Sequence, residues 1–333
     1  MKLLFFLSGG NTLFAKEEVV SLLDSYGAIY KIEHSEGQLL LVNINKKNIE
    51  FLYRLGLTHF VLEVISDSII DEKMDRILSG IQWDSVLDFN RTFKVRVKNK
   101  DVKDYGDLES IIGKSISNFF QNKIKVDLTN PMDEIVGVIL NDRLVIGKKI
   151  FERNKSDFNK RKPQLRPFFS PTSIDPRIAR AMINISQAQS EILDPFAGTG
   201  GILIEAGLIG LDTYGLDIEE KSVLGTKMNL SNYGIHNFDI RVGDARKIYG
   251  TFGRKFESIV TDAPYGRSTK IDKDKEKMYK DCFFSMLESF KKRCVVGLDK
   301  EYPFEEIGFR IESIYSFRVH KSLTRYLHIL SHR

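Results

Sequence analysis

The sequence predicts an α/β protein: an open, mostly parallel sheet in the rear half, preceded by a smaller α+β region. Three observations predict it. Four apolar runs of the rear half each end in an aspartate followed by a turn: Ile192–Asp194, Tyr214–Asp217, Arg241–Asp244 and Ser258–Asp262. A glycine-rich loop, Gly198-Thr199-Gly200-Gly201, joins the first run to the helical run Ile202–Leu208. The front half alternates strand and helix signals and closes on a hairpin pattern. Apolar strands whose carboxyl ends all carry acids fit a parallel sheet that takes its ligand in one crevice.

In chain order, Leu3–Leu7, Gln38–Ile44 and His59–Ile65 read as strands, and Ala15–Tyr26 and Asn48–Leu55 as helices. Phe93–Val97 alternates as a half-buried strand does, and Leu108–Phe120 reads as a helix. Val126–Pro131 is a strand and turn, and Glu134–Leu140 with Arg143–Ile150 a hairpin. The expected division is a first α+β domain over 1–70, a second over 71–150, a basic linker over 151–167 and the sheet domain over 168–333. A length of 333 residues suits two or three domains, and 42% hydrophobic residues suffices for packed cores. No apolar span is long enough for a transmembrane helix, and the opening Lys2–Leu7 run is too short for a signal peptide. Cys282 and Cys294 lack metal-ligand spacing, so no metal is expected and a reduced, cytoplasmic state is the simple reading. His320 and His328, on late strand candidates, read as surface or packing residues. Arg310–Phe317 and Arg325–Leu330 read as closing strands.

The chemistry concentrates at the strand ends. Glycines at 198, 200 and 201 permit a tight turn and close backbone approach to a ligand. No Gly-Lys-Ser/Thr follows, so this is not a Walker loop. A dinucleotide fingerprint needs a third glycine at 203, where Leu203 stands. Asp217 is placed to accept from ribose hydroxyls and Asp244 from an adenine amine. Nothing cradles a pyrophosphate, so a nucleoside without phosphates fits best. The plain alternative is that each aspartate caps a helix or turn.

Asp262 precedes Ala263-Pro264-Tyr265-Gly266. The proline biases Ala263 to extended backbone, which keeps its carbonyl out of a helix. A carboxylate and a carbonyl side by side can hold both hydrogens of an exocyclic amine, while Tyr265 stacks on the base. The alternative is a simple Asp-x-Pro turn.

The segment 151–167 carries six basic residues against two acids. Lys160, Arg161, Lys162 and Arg166 are its candidate phosphate contacts, with Lys148 and Lys149 extending the charge. Pro163 and Pro167 argue against one continuous helix there. Ser173 or Asp175 caps a helix beginning near Pro176. Residues 268–281, dense in alternating charges, read as a mobile loop before a helix over Tyr279–Phe290.

The run Asp194-Pro195-Phe196-Ala197-Gly198-Thr199-Gly200-Gly201 and the Asp262-x-Pro264-Tyr265-Gly266 step resemble the amino-methyltransferases of the class I, Rossmann-like fold. Most members carry Asp-Pro-Pro-Tyr or Asn-Pro-Pro-Tyr, where this chain has Ala263 for the first proline. The resemblance implies S-adenosyl-L-methionine as cofactor. It implies contacts from Asp194, Pro195, Phe196, Gly198, Thr199, Gly200, Asp217, Ile218, Asp244 and Ala245, with Thr172 and Ser173 under the methionine end. It assigns methyl transfer to Asp262, Ala263, Pro264 and Tyr265, and the aspartate at 262 points to a guanine N2 amine. Thr92–Val97, Val126–Pro131 and the closing hairpin are similar to the THUMP RNA-binding domain, preceded by a ferredoxin-like α+β region. Val319–Arg325 resembles the end of the archaeal-type tRNA guanine-N2 methyltransferases. That family implies tRNA as partner and guanosine 10 as target, receiving one and then two methyl groups. Alternatives are an amino-methyltransferase for another base or position, a non-catalytic RNA-binding paralogue and, against Leu203, a nicotinamide oxidoreductase.

Overall fold

Alternating apolar residues and the turns between them fold the front of the chain into strands. The computed structural model describes residues 1–45, 49–69, 74–99, 107–140, 143–170, 173–264, 273–320 and 323–333. Its contacts group the chain into two units. One comprises Met1–Gly9, Ile29–Ile49 and Thr58–Arg153, the other Gly10–Ala28, Glu50–Leu57 and Asn154–Arg333.

The first unit is an eight-stranded sheet. Its strands are β1 (Lys2–Leu7), β2 (Tyr30–Glu36), β3 (Leu39–Ile44), β4 (Thr58–Ile69), β5 (Thr92–Asn99), β6 (Lys125–Val126), β7 (Asp133–Leu140) and β8 (Arg143–Glu152). They run in the order β2-β3-β1-β4-β8-β7-β5-β6. β4 pairs with β1 on one side and with β8 on the other, out to Ile69 against Arg143. A boundary at residue 70 therefore falls inside one continuous sheet. Between strands the chain forms α1 (Thr12–Ser25), α2 (Met74–Ser79) and α3 (Leu108–Phe119). Leu108, Ile112 and Ile116 share one face of α3 and pack with Trp83, Phe93 and Ile135. β2 is invisible to the sequence reading because its residues are half-buried at most. Lys148 and Lys149 do not extend the basic linker. Lys148 pairs with Asp133 (2.9 Å) and Lys149 with Glu134 and Glu152 (2.5 Å each).

Helix α1 belongs to the second unit although its neighbours in sequence build the first. Its buried Glu18 accepts from the backbone N–H groups of Gly56 (2.7 Å) and Leu57 (2.8 Å) and from Asn184 Nδ2 (2.8 Å). Arg54, in the 3-10 turn Glu50–Arg54, donates to the Ala188 carbonyl (2.9 Å). Phe14 meets the rings of Tyr315 and Phe317. These buried partners, distant in sequence, explain why contiguous boundaries fail.

The remainder of this unit runs α4 (Lys155–Lys160), α5 (Pro176–Ile185), β9 (Glu191–Asp194), α6 (Gly201–Gly207), β10 (Asp212–Asp217), α7 (Glu220–Asn232) and β11 (Phe238–Val242). It continues through α8 (Ile248–Phe252), β12 (Ser258–Asp262), α9 (Lys273–Leu287), β13 (Cys294–Leu298), β14 (Phe309–His320) and β15 (Leu323–His332). The sheet order is β11-β10-β9-β12-β13-β15-β14, parallel except for β15, which runs antiparallel to both its neighbours. The order reverses between β9 and β12, and at such a switch point diverging loops open a crevice over the strand ends.

Asp175 caps α5 by accepting from the Arg177 N–H (2.8 Å), with Pro176 in the first turn. Helix α9 begins at Lys273, so part of the charged segment read as a loop is helical. Cys282 and Cys294 are buried free thiols. His328 is fully buried and accepts from the Tyr302 N–H (3.2 Å), and desolvation pushes its pKa down to about 4. It is a packing residue.

Candidate active site

The four strand-end aspartates sit in different environments. Asp194 closes β9 and is 2% exposed. Its Oδ1 accepts from Thr261 Oγ1 (2.6 Å) and the Phe196 N–H (3.1 Å). Burial pushes its pKa up to about 7, with the charges of Asp262 and Asp217 adding to the rise and the two hydrogen bonds opposing it.

The loop that follows takes left-handed backbone at Gly198 (φ +51°) and Gly200 (φ +75°). A Cβ on Gly200 would stand 2.8 Å from Thr226 Cγ2, so only glycine fits. Asp217, at the end of β10, accepts from the N–H groups of Gly198 (2.8 Å) and Glu219 (3.0 Å). Those bonds fix its carboxylate at the rim of a cavity of about 520 Å³, whose walls include Pro195, Phe196, Ile218, Ala245 and Asp262–Pro264. Asp244 also lines this cavity, but its carboxylate is held by Arg246 (2.5 Å), which lowers its pKa. An adenine amine would have to share Asp244 with that guanidinium, a competition not anticipated from sequence.

A second cavity of about 330 Å³ shares Phe196, Gly198 and Asp262 with the first, and adds Phe168, Ser173, Asp194 and Thr199. Ser173 Oγ lies 2.8 Å from Thr199 Oγ1. Asn229, unnoticed in the sequence, joins the two walls. It is fully buried, accepts from the Phe168 N–H (2.9 Å), and donates to the carbonyls of Phe168 (2.8 Å) and Thr199 (2.9 Å). No local pattern announces this, because its partners lie 61 and 30 residues away.

Asp262 ends β12 at the junction of both cavities. The Ala263 N–H donates to the Gly297 carbonyl (3.0 Å), and the Tyr279 hydroxyl donates to the Pro264 carbonyl. Arg325 Nη2 donates to Asp262 Oδ2 at 2.8 Å. Behind the carboxylate, a Cβ on Gly297 would stand 2.4 Å from Oδ1. Arg325 and Gly297 are thus site residues the sequence reading missed. Thr172 and Tyr265 lie outside the described residues.

The basic linker is split. Lys160 and Lys162 are exposed. Arg161 turns inward to Glu205, Nε to Oε1 at 2.6 Å. Arg166 is 5% exposed, its Nε donating to the Arg161 carbonyl (3.2 Å). These two arginines are corrected from phosphate contacts to inward-facing residues, Arg161 half-buried and Arg166 buried, because an acid on α6 and the chain's own turn offer nearer partners than solvent. Among the described residues, no group of His, Cys, Asp and Glu is arranged to hold a metal ion, and no helix is long and apolar enough to cross a membrane.

The fold and the glycine cradle define the class, a Rossmann-like methyltransferase. Residues 163–326 match the RMKL-like methyltransferase domain family. Over 327 residues the chain is 38% identical to the tRNA (guanine(10)-N2)-dimethyltransferase of Pyrococcus abyssi, covering 96% of each chain. Over 342 aligned residues it is 35% identical to the enzyme of that name from Methanothermobacter thermautotrophicus, covering 99% of each. In fold it is similar to TrmN from Thermus thermophilus, with a TM-score of 0.58 over 100% of both chains at 17% identity. The chain belongs to the tRNA (guanine(10)-N2)-dimethyltransferase family.

Replacing Asp217 by alanine is expected to weaken S-adenosylmethionine binding by about 1.5–3 kcal/mol, the loss of hydrogen bonds to a charged acceptor. Calorimetry giving wild-type affinity would remove Asp217 from the site.

Proposed function

We propose that the chain methylates the N2 amine of guanosine 10 in tRNA, adding one methyl group and then a second, with S-adenosyl-L-methionine as donor. The observation that carries this reading is the carboxylate of Asp262, clamped by Arg325 at the junction of the two cavities beside the glycine loop. The activity named for the Pyrococcus abyssi and Methanothermobacter thermautotrophicus relatives supports the choice of base and position.

The cofactor fits the residues present. Glycines at positive φ admit a close ligand, Asp217 offers acceptors for ribose hydroxyls, and Ile218 and Ala245 offer apolar walls for a purine. Asp194, Ser173 and Thr199 line the lobe suited to the amino-acid end. When bound, S-adenosylmethionine supplies a sulfonium methyl open to direct displacement. Asp262 and the Ala263 carbonyl accept the hydrogens of the amine and aim its lone pair. Asp262 takes the proton released as the N–C bond forms. Orientation supplies most of the acceleration.

In this reading the first unit is the THUMP-like, ferredoxin-like RNA-binding part, and Lys160 and Lys162 touch phosphates. Neutralising both lysines should weaken tRNA binding and flatten its salt dependence by nearly one unit of slope per lost contact, with cofactor affinity unchanged. An unchanged slope returns them to plain solvated surface. The reading as a whole is tested by incubating unmodified tRNA with labelled cofactor, mapping the labelled nucleotide and counting methyl groups. Label on any base other than guanosine 10 sinks it.

A further inference from the structure

Arg325 reaches Asp262 from two strands away in the sheet, since β15 pairs with β13 and β13 with β12. Both side chains are largely buried, at 8% and 14% exposure. The acid sits among others. Asp194 on β9 feels the charges of Asp262 and of Asp217 on β10, while the Asp244–Arg246 pair and Cys282 of α9 line the same cavity. Crowded carboxylates favour uptake of a proton, and a cation in hydrogen-bond contact opposes it. Arginine keeps its charge at any pH at which a protein folds.

The protonation state decides what the acid can recognise. A carboxylate only accepts hydrogen bonds, whereas a protonated carboxyl both donates and accepts. Guanine presents two adjacent donors, N1–H and N2–H. Adenine presents a donor, N6–H, beside an acceptor, N1. An acceptor-only anion matches the first edge and repels the N1 lone pair of the second. Gly297 leaves room for the carboxylate in this orientation.

We propose that Arg325 is a positioning residue that holds Asp262 as an acceptor-only anion while the base binds, before the carboxylate takes up the proton of transfer, and that this pairing selects the guanine N2 amine over the adenine N6 amine. The inference rests on the methyl-transfer reading above. It is tested by single-turnover methyl transfer against pH, using tRNA transcripts with guanosine or adenosine at the target position. Wild type, Arg325→Lys and Arg325→Gln are compared, with cofactor affinity and unfolding measured alongside.

Arg325→Gln should move the acid limb of the guanosine profile up by about one to two pH units. It should also narrow the guanosine-to-adenosine ratio about tenfold, the equivalent of one such unit. Arg325→Lys keeps the charge and should leave the limb in place. Cofactor affinity should be unchanged in both. An Arg325→Gln enzyme with wild-type limb and ratio overturns the proposal, whatever its rate or stability, because a simple brace would move neither. Should Arg325→Gln fail to fold, the neutral pair Asp262→Asn with Arg325→Gln decides: a narrowed ratio supports the proposal and a wild-type ratio overturns it. Wild-type protein inactive on the guanosine transcript rejects the functional reading itself, an outcome distinct from an unchanged Arg325→Gln profile.

Discussion

Asp262→Ala is expected to slow single-turnover methyl transfer by about 10²–10⁴-fold, the usual contribution of a positioned acid–base group. Cofactor binding should persist, because Asp217 and the glycine loop are untouched. Asp262→Asn keeps an oxygen acceptor and should retain more activity than alanine. The ion pair with Arg325 adds a second expectation (2.8 Å). Alanine at 262 removes a charged partner of the largely buried Arg325, so the variant should also unfold at lower temperature, and rates must be read on protein verified as folded. A folded Asp262→Ala enzyme working at nearly the wild-type rate would leave Asp262 as a turn residue only.

Glu205→Ala should be among the most destabilising single changes in the molecule. Glu205 is fully buried and takes two bonds from Arg161, at 2.6 and 3.2 Å, and one from Arg180 at 2.8 Å. Both arginine side chains are themselves largely buried, at 12% and 6% exposure. Removing the only acid of this trio leaves two desolvated cations facing each other, which costs about 3–5 kcal/mol. Total stabilities of about 5–15 kcal/mol make that a large share. Replacing the whole trio by apolar residues of similar volume should cost far less, since no charge is then orphaned. Denaturant titration distinguishes the two, and a Glu205→Ala loss under about 1 kcal/mol would show that the arginines find other partners.

What was legible in the sequence is what depends on neighbours in the chain. The Gly198–Gly201 turn, the Asp175 cap and the strand-end aspartates declare themselves because glycine, Asp-Pro and period-two patterns act over a few residues. That these strands run parallel followed from those runs, while their order in the sheet did not. Asn229, Gly297 and Arg325 stayed hidden because each acquires its role from a partner brought close only by the sheet and its helices. The linker shows the same limit. Lys160, Arg161, Lys162 and Arg166 look alike as a charge run, yet the two lysines face solvent, Arg166 is buried and Arg161 turns inward to an acid on α6. β2 was missed for a complementary reason, since an edge strand with little buried surface lacks the apolar alternation that marks a strand.

The placement of α1 reaches beyond the folded state. The chain enters the catalytic unit at Gly10–Ala28 and Glu50–Leu57, and returns for good only at Asn154. During synthesis α1 therefore leaves the ribosome long before α5, and its Glu18 has only the Gly56 and Leu57 N–H groups within reach until Asn184 emerges. The catalytic half cannot be completed co-translationally as a rear cassette, nor exchanged between genes as one contiguous exon-like block. A recombination event that joined residues 154–333 to a different front module would carry every strand-end aspartate and still lack the helix that satisfies α5. Such interleaving ties the two halves into a single unit of inheritance.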